Sequence, residues 1–249
     1  SRKKCFFLQR KIHWLGHVLC DGMVSPPDTF LHKIAAFPKP EFADELQRFL
    51  GMMVWILQHL PAAVLRCEAL YDILPPKGVR SKRLLWTPGA NQAWSDVRAM
   101  LLDPLVLLVP DLGAPFSLRV DSSAKGVGAV LLQAKTPGDS ASLAPVACWS
   151  KRWQYQWERE APPRLMELNG LVQALQHWSC YVRNGHPVDV LTDHKSLSQS
   201  LTQRPDDGVF YRRLMAAVAG YWVRIAYTKG CDFAGPDWLS REGCDVQVL

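Results

Sequence analysis

No stretch of the 249 residues is apolar for long enough to cross a bilayer, although 48% of the chain is hydrophobic. The basic opening, Ser1-Arg-Lys-Lys-Cys5, lacks the apolar segment and small-residue cleavage site of a secretory leader. An initiator Met is missing, so the chain is expected to be a piece of something longer. The seven cysteines include no CxxC pair, and their number is odd. That disfavours a disulfide framework and points to reduced thiols in an intracellular protein, in a cytoplasmic particle or the nucleus. His13, His17 and Cys20 lie close together but lack a fourth ligand, so packing is the better account of them than a closed zinc site. Acids are also scarce where bases are dense. The first twenty residues hold Arg2, Lys3, Lys4, Arg10 and Lys11 and no Asp or Glu. With a net charge of +6 and a pI near 9.0, this favours a polyanionic partner.

What the chain does contain changes character near residue 110. Before it the pattern is mostly helical, after a hairpin expected around Asp21-Gly22. Pro26-Pro27-Asp28 starts a helix to about Phe37. Another runs from about Asp44 with Leu46, Phe49, Leu50 and Met53 at helical spacing, and Pro61 ends it. Helices over 62–73 and 90–102 follow. From Phe116 the periodicity is that of strands: Phe116–Asp121, Val127–Gln133, Pro145–Trp149, Val188–Thr192 and Val223–Tyr227. Helices over 164–181, 196–203 and 209–219 interleave them, and a last one opens at Pro236-Asp237. The order β-β-β-α-β-α-β-α describes a mixed sheet with flanking helices.

Four acids stand out. Asp121 closes the first of these strands and Asp193 the fourth, positions where α/β folds expose side chains at a crevice. Glu167 lies in the first turn of the long helix, on the shoulder of its apolar stripe, and Asp237 opens the final helix. Read singly, each has an ordinary role, Asp237 as a helix cap and Glu167 as a surface residue. Read together, they could share one pocket, because gathered carboxylates repel unless cations lie between them. Two Mg²⁺ ions about 4 Å apart would neutralise them and clamp a phosphodiester. Lys151, Arg152, Arg159 and Arg164 cluster with Trp153, Tyr155 and Trp157, which suits phosphates and base faces or, equally, a solvated surface over core tryptophans.

The motifs Lys4-Cys-Phe6, Trp14-Leu-Gly-His17, Phe37-Pro-Lys-Pro40, Glu45-Leu-Gln-Arg-Phe-Leu-Gly51 and Trp86-Thr87 resemble, in order, the tail of a gypsy-type LTR-retrotransposon reverse transcriptase. Val120-Asp-Ser-Ser123, Gly126-Val-Gly-Ala-Val-Leu-Leu-Gln133, Thr192-Asp-His-Lys-Ser-Leu197 and Pro236-Asp-Trp-Leu-Ser-Arg241 resemble that family's ribonuclease H domain. The resemblance implies an α/β fold, an RNase H-like mixed five-stranded sheet with flanking helices, preceded by a mostly helical thumb and connection segment. Residues 1–109 would be the end of the reverse transcriptase, 110–242 the RNase H-like domain and 243–249 a tail.

By the same resemblance, Asp121, Glu167, Asp193 and Asp237 are catalytic and bind two Mg²⁺ ions, for which Mn²⁺ can substitute. Lys151, Arg152 and Arg164 would contact nucleic acid. The substrate implied is an RNA–DNA hybrid. The upstream polymerase and a downstream integrase of the same polyprotein are the implied partners, and no membrane is. The order Asp, Glu, Asp, Asp disfavours the integrase fold, where the glutamate comes last. The Tyr-x-Asp-Asp hairpin of the polymerase would precede residue 1, so template copying is not expected. Departures from the family pattern are Leu165 for an acid at the helix start, Phe233 for Asn, Pro236 for Ala, and Leu57-Gln58 for an Arg-Arg pair. They motivate a rival reading, a decayed or domesticated module that binds nucleic acid or scaffolds without cutting. His194 fits a packing role and a substrate contact equally.

Overall fold

The computed structural model describes residues 8–60, 63–76, 82–102, 104–136, 138–139, 142–192 and 208–227. The chain divides into two compact units, Ser1–Val109 and Pro110–Leu249.

The first unit opens with strands β1 (Lys11–Trp14), β2 (His17–Cys20) and β3 (Met23–Ser25). Two-residue turns join them. Leu15-Gly16 and Asp21-Gly22 all have positive φ, the left-handed pair that matches strand twist. The turn at Asp21-Gly22 was expected from the sequence, whereas Leu15-Gly16 was not, because Leu rarely takes φ +47°. A Cβ on Gly16 would come within 2.7 Å of the Trp55 ring. Strand β4 (Leu107–Leu108) closes this sheet in the order β1-β2-β3-β4.

Four helices form the rest of the unit: α1 (Asp28–Ala35), α2 (Ala43–Ile56), α3 (Ala63–Asp72) and α4 (Pro88–Met100). The proline signals hold: Pro27 precedes α1, and the chain leaves α2 through a short 3-10 turn, Leu57–His59, before Pro61. Thr87 caps α4, its hydroxyl accepting from the Ala90 N–H at 3.1 Å with Pro88 in the first turn. The stripe read from the sequence is buried at Leu46, Phe49, Leu50 and Met53, in one core with Ile34 and Val97; Ile56, which was outside the stripe, is buried with them. Phe49 meets Trp94 at a ring distance of 4.5 Å.

The second unit is built on β5 (Ser117–Ser122), β6 (Gly126–Ala134), β7 (Leu143–Arg152), β8 (Val188–Thr192) and β9 (Val223–Tyr227). Their order is β7-β6-β5-β8-β9. The first three are antiparallel, and β8 and β9 join parallel to β5, so this is a mixed five-stranded sheet. Helices α5 (Gln156–Glu160), α6 (Pro163–His177), α7 (Ser179–Val182) and α8 (Val209–Ala219) flank it. Helix α5 has no counterpart among the elements expected from the sequence, because one turn is too short to show periodicity. Helix α6 stops at His177, not at Tyr181. It buries Met166, while Leu165 is only half-buried. The reason is its position: it packs on β5 and β6 and also against α8, so most of its circumference is covered. The expected helices over 196–203 and from Pro236, and the tail 243–249, lie outside the described residues.

Candidate active site

Asp121 sits on β5 beside Gly128 of β6 and is only 2% exposed. The pleat turns the next residue, Ser122, the other way, towards α6. There α6 approaches through Gly170. A Cβ at that position would overlap Ser122 Oγ and lie 3.0 Å from Val127 Cγ2, so only glycine lets the helix come this near. Glu167 stands one helical turn before Gly170, on the face that meets the end of β5 and β6. It is 6% exposed. Both carboxylates are therefore buried, Glu167 on the helix that touches the central strand and Asp121 on that strand, on the face turned away from Ser122. Strand β8 runs parallel beside β5, with Arg119 next to Leu191, and ends at Thr192. Asp193 follows it, and Asp193, His194 and Asp237 lie outside the described residues. Among the described residues no group of three or more His, Cys, Asp or Glu side chains forms a metal cluster. His17 and His13 project to opposite faces of their hairpin, so they do not converge on one site: His17 packs on Trp55 at 4.4 Å, and His13 is exposed.

The three basic residues read from the sequence occupy different situations. The Lys151 ammonium donates to Gln173 Oε1 at 2.9 Å and is half-buried against α6. The Arg164 guanidinium lies over the Tyr211 ring of α8, 4.1 Å from its centre. Arg152 is exposed at the end of β7.

A buried polar network supports this region, and sequence reasoning missed it. Trp153, fully buried, donates from its indole N–H to the Ser123 carbonyl at 2.7 Å and from its backbone N–H to Lys125 O at 3.1 Å. Those bonds hold the turn that follows Asp121. Glu158, 4% exposed, accepts from the N–H groups of Gln154 and Tyr155 at 2.9 and 3.0 Å, capping α5. Its other oxygen accepts from Gln173 Nε2 at 3.3 Å and Asn169 Nδ2 at 3.5 Å, both on α6. The only signal in the sequence was an acid three residues after Tyr155, the spacing of a first-turn cap.

Part of the chain is similar to a known family. Residues 86–190 match the family described as the RNase H-like domain found in reverse transcriptase. Relatives of the chain include the transposon Tf2-3 and Tf2-4 polyproteins of Schizosaccharomyces pombe, each 27% identical over 208 residues, 83% of this chain. The chain spans 15% of the length of those polyproteins. Among solved structures, the foamy viral protease-reverse transcriptase dRH in complex with double-stranded DNA aligns with a TM-score of 0.73 at 16% identity, over 89% of this chain and 38% of that one. The foamy viral protease-reverse transcriptase in complex with RNA/DNA hybrid aligns at 0.72 and 17% identity, over all of this chain and 33% of the other. At those identities the likeness concerns the fold. The matched family range begins at Trp86, so it takes in α4, which belongs structurally to the first unit. Among the described residues no helix is long and apolar enough to cross a membrane.

Proposed function

We propose that this chain is the ribonuclease H of a retrotransposon reverse transcriptase, a Mg²⁺-dependent endonuclease that cuts the RNA strand of RNA–DNA hybrids and leaves 5′-phosphate and 3′-hydroxyl ends. The observation that supports it most is the burial of two acids on neighbouring elements, Asp121 on the central strand and Glu167 on the helix packed against that strand, in a mixed sheet of order β7-β6-β5-β8-β9. Burying carboxylates is costly unless cations or donors face them. Their hard oxygen donors suit Mg²⁺, and Mn²⁺ in its place. In this reading Asp193 and Asp237 complete the ligand set.

Bound divalent metal supplies activation of the attacking water and charge neutralisation at the leaving 3′ oxygen. The chain's own part is to orient and exclude. Asp121 is held by the sheet and Glu167 by the close approach at Gly170, so neither carboxylate needs to reorganise when the phosphodiester arrives. Selectivity for RNA would come from 2′-hydroxyls and the shape of the hybrid. In the cell the domain would act beside the polymerase that precedes it and an integrase that follows.

The test is cleavage of end-labelled hybrid with Mg²⁺ by the full chain beside Asp121→Asn. The expected loss in the variant is at least about 100-fold, or about 2.7 kcal/mol of barrier. Equal rates in the two proteins would remove the enzyme reading. Salt-dependent hybrid binding without turnover would favour a non-cutting nucleic-acid module, the reading that Leu165 and Phe233 motivate.

A further inference from the structure

We infer that Glu158 is a positioning residue for the metal site, an inference that rests on the ribonuclease reading above. The segment 153–158 reaches the turn directly after β5, the strand that carries Asp121, and it reaches α6, which carries Glu167. Trp153 bonds Ser123, two residues after Asp121, and Glu158 accepts from Asn169, two residues after Glu167. The Arg159 guanidinium donates to Trp153 O at 3.1 Å, closing the segment on itself. Gln173 joins the network to the sheet: its amide N–H donates to Glu158 Oε1 and to Asn169 Oδ1, both at 3.3 Å, while its carbonyl accepts from Lys151. Lys151 thus brings a positive charge to the buried carboxylate through one amide.

Glu158 receives four N–H donors on its two oxygens. A carboxylate can accept all of them, while a glutamine offers one acceptor oxygen and turns an NH₂ towards donors. Two of the four donors come from Gln154 and Tyr155, in the segment that holds the turn after β5, and two from α6, so the carboxylate sets how the helix bearing Glu167 sits against that turn. Groups that orient a ligand without touching the metal change metal affinity when they are lost.

The experiment uses the full chain, with Mn²⁺ alone as the probe, followed by electron paramagnetic resonance. Asp121→Asn defines which Mn²⁺ belongs to the site. Glu158→Gln is expected to weaken the Asp121-dependent binding about tenfold. It should also raise the Mg²⁺ concentration for half-maximal cleavage in proportion and leave KM for the hybrid unchanged, with Glu158→Asp recovering part of the affinity. Hydrogen exchange of the α6 amides should quicken in the same variant. Unchanged Mn²⁺ affinity, even with a lower melting temperature, overturns the inference. If Glu158→Gln does not fold, Gln173→Met, which cuts the link between Glu158 and Lys151 at similar volume, is read by the same titration. A wild-type chain without Asp121-dependent Mn²⁺ binding overturns the metal-site reading and this inference with it.

Discussion

Lys151 and Arg152 are neighbours in sequence with opposite circumstances. They alternate across β7, so Lys151 turns to α6 and meets Gln173, while Arg152 ends the strand in solvent. Composition could not separate them, because both are cations beside aromatics. Their substitutions should separate cleanly. Lys151→Met is expected to lower stability by about 1 kcal/mol through the lost hydrogen bond to a buried network. Arg152→Ala should leave stability within about 0.5 kcal/mol and weaken hybrid binding. It should also reduce the slope of log K against log salt by about 1. Denaturation and binding titrations at several salt concentrations measure both. An Arg152→Ala protein with the wild-type salt slope would take Arg152 off the nucleic-acid surface.

At the scale of elements, the decisive contact is α6 against β5 and β6. Its apolar stripe was legible as 3.6-residue periodicity, and β5, β8 and β9 were legible as alternation to within a residue. What periodicity could not convey is that α6 is covered on several sides, which is why Met166, Asn169 and Glu167 are buried along with the stripe. The glycine at 170 carries that information only once Ser122 and Val127 are seen opposite it. Gly170→Ala is expected to destabilise the second unit by about 1–3 kcal/mol, because overlap with two packed side chains must be relieved by shifting the helix. The shift moves Glu167, so cleavage should fall by more than the unfolded fraction accounts for. Urea denaturation and the initial rate, measured on the same preparation, test this. A stable Gly170→Ala protein with wild-type activity would refute the close-approach argument.

Over the whole molecule, burial of neutral histidines gives stability a pH dependence. His59 is fully buried where the 3-10 turn after α2 meets the chain before β4. Its Nδ1 lies 2.8 Å from the Leu105 carbonyl, which can only accept, so Nδ1 carries the proton. Burial holds the His59 pKa below its ordinary 6.5, opposed in part by that hydrogen bond, with His17 nearby adding to the lowering. Burial likewise lowers His177 in the second unit, where its ring stacks on Trp149. The unfolded chain therefore binds these protons more readily than the native one. Stability is complete above about pH 6.5 and is lost as pH falls through the unfolded value towards the lowered folded ones. Calorimetry should show lower melting temperatures at pH 5 than at pH 7.5. His59→Gln should flatten the dependence of the first unit alone. An acid-side profile unchanged by that substitution would show that His59 is not the group responsible.

Local rules determined much of this protein. Strand and helix periods, proline stops, the Thr87 cap and the turn at Asp21-Gly22 depend on residues close in sequence, so the order of elements and the change of character near residue 110 were readable in one dimension. The acids Asp121 and Glu167 were readable too, as strand-end and helix-start carboxylates within motifs that resemble a known family. Tertiary structure alone decided which polar groups became interior. Glu158 is one acid among many until Asn169 and Gln173 of another helix reach it, and Lys151 is one base among many until Gln173 does. Burial and hydrogen-bond partnership arise between elements distant in sequence, and no local pattern encodes which of them meet.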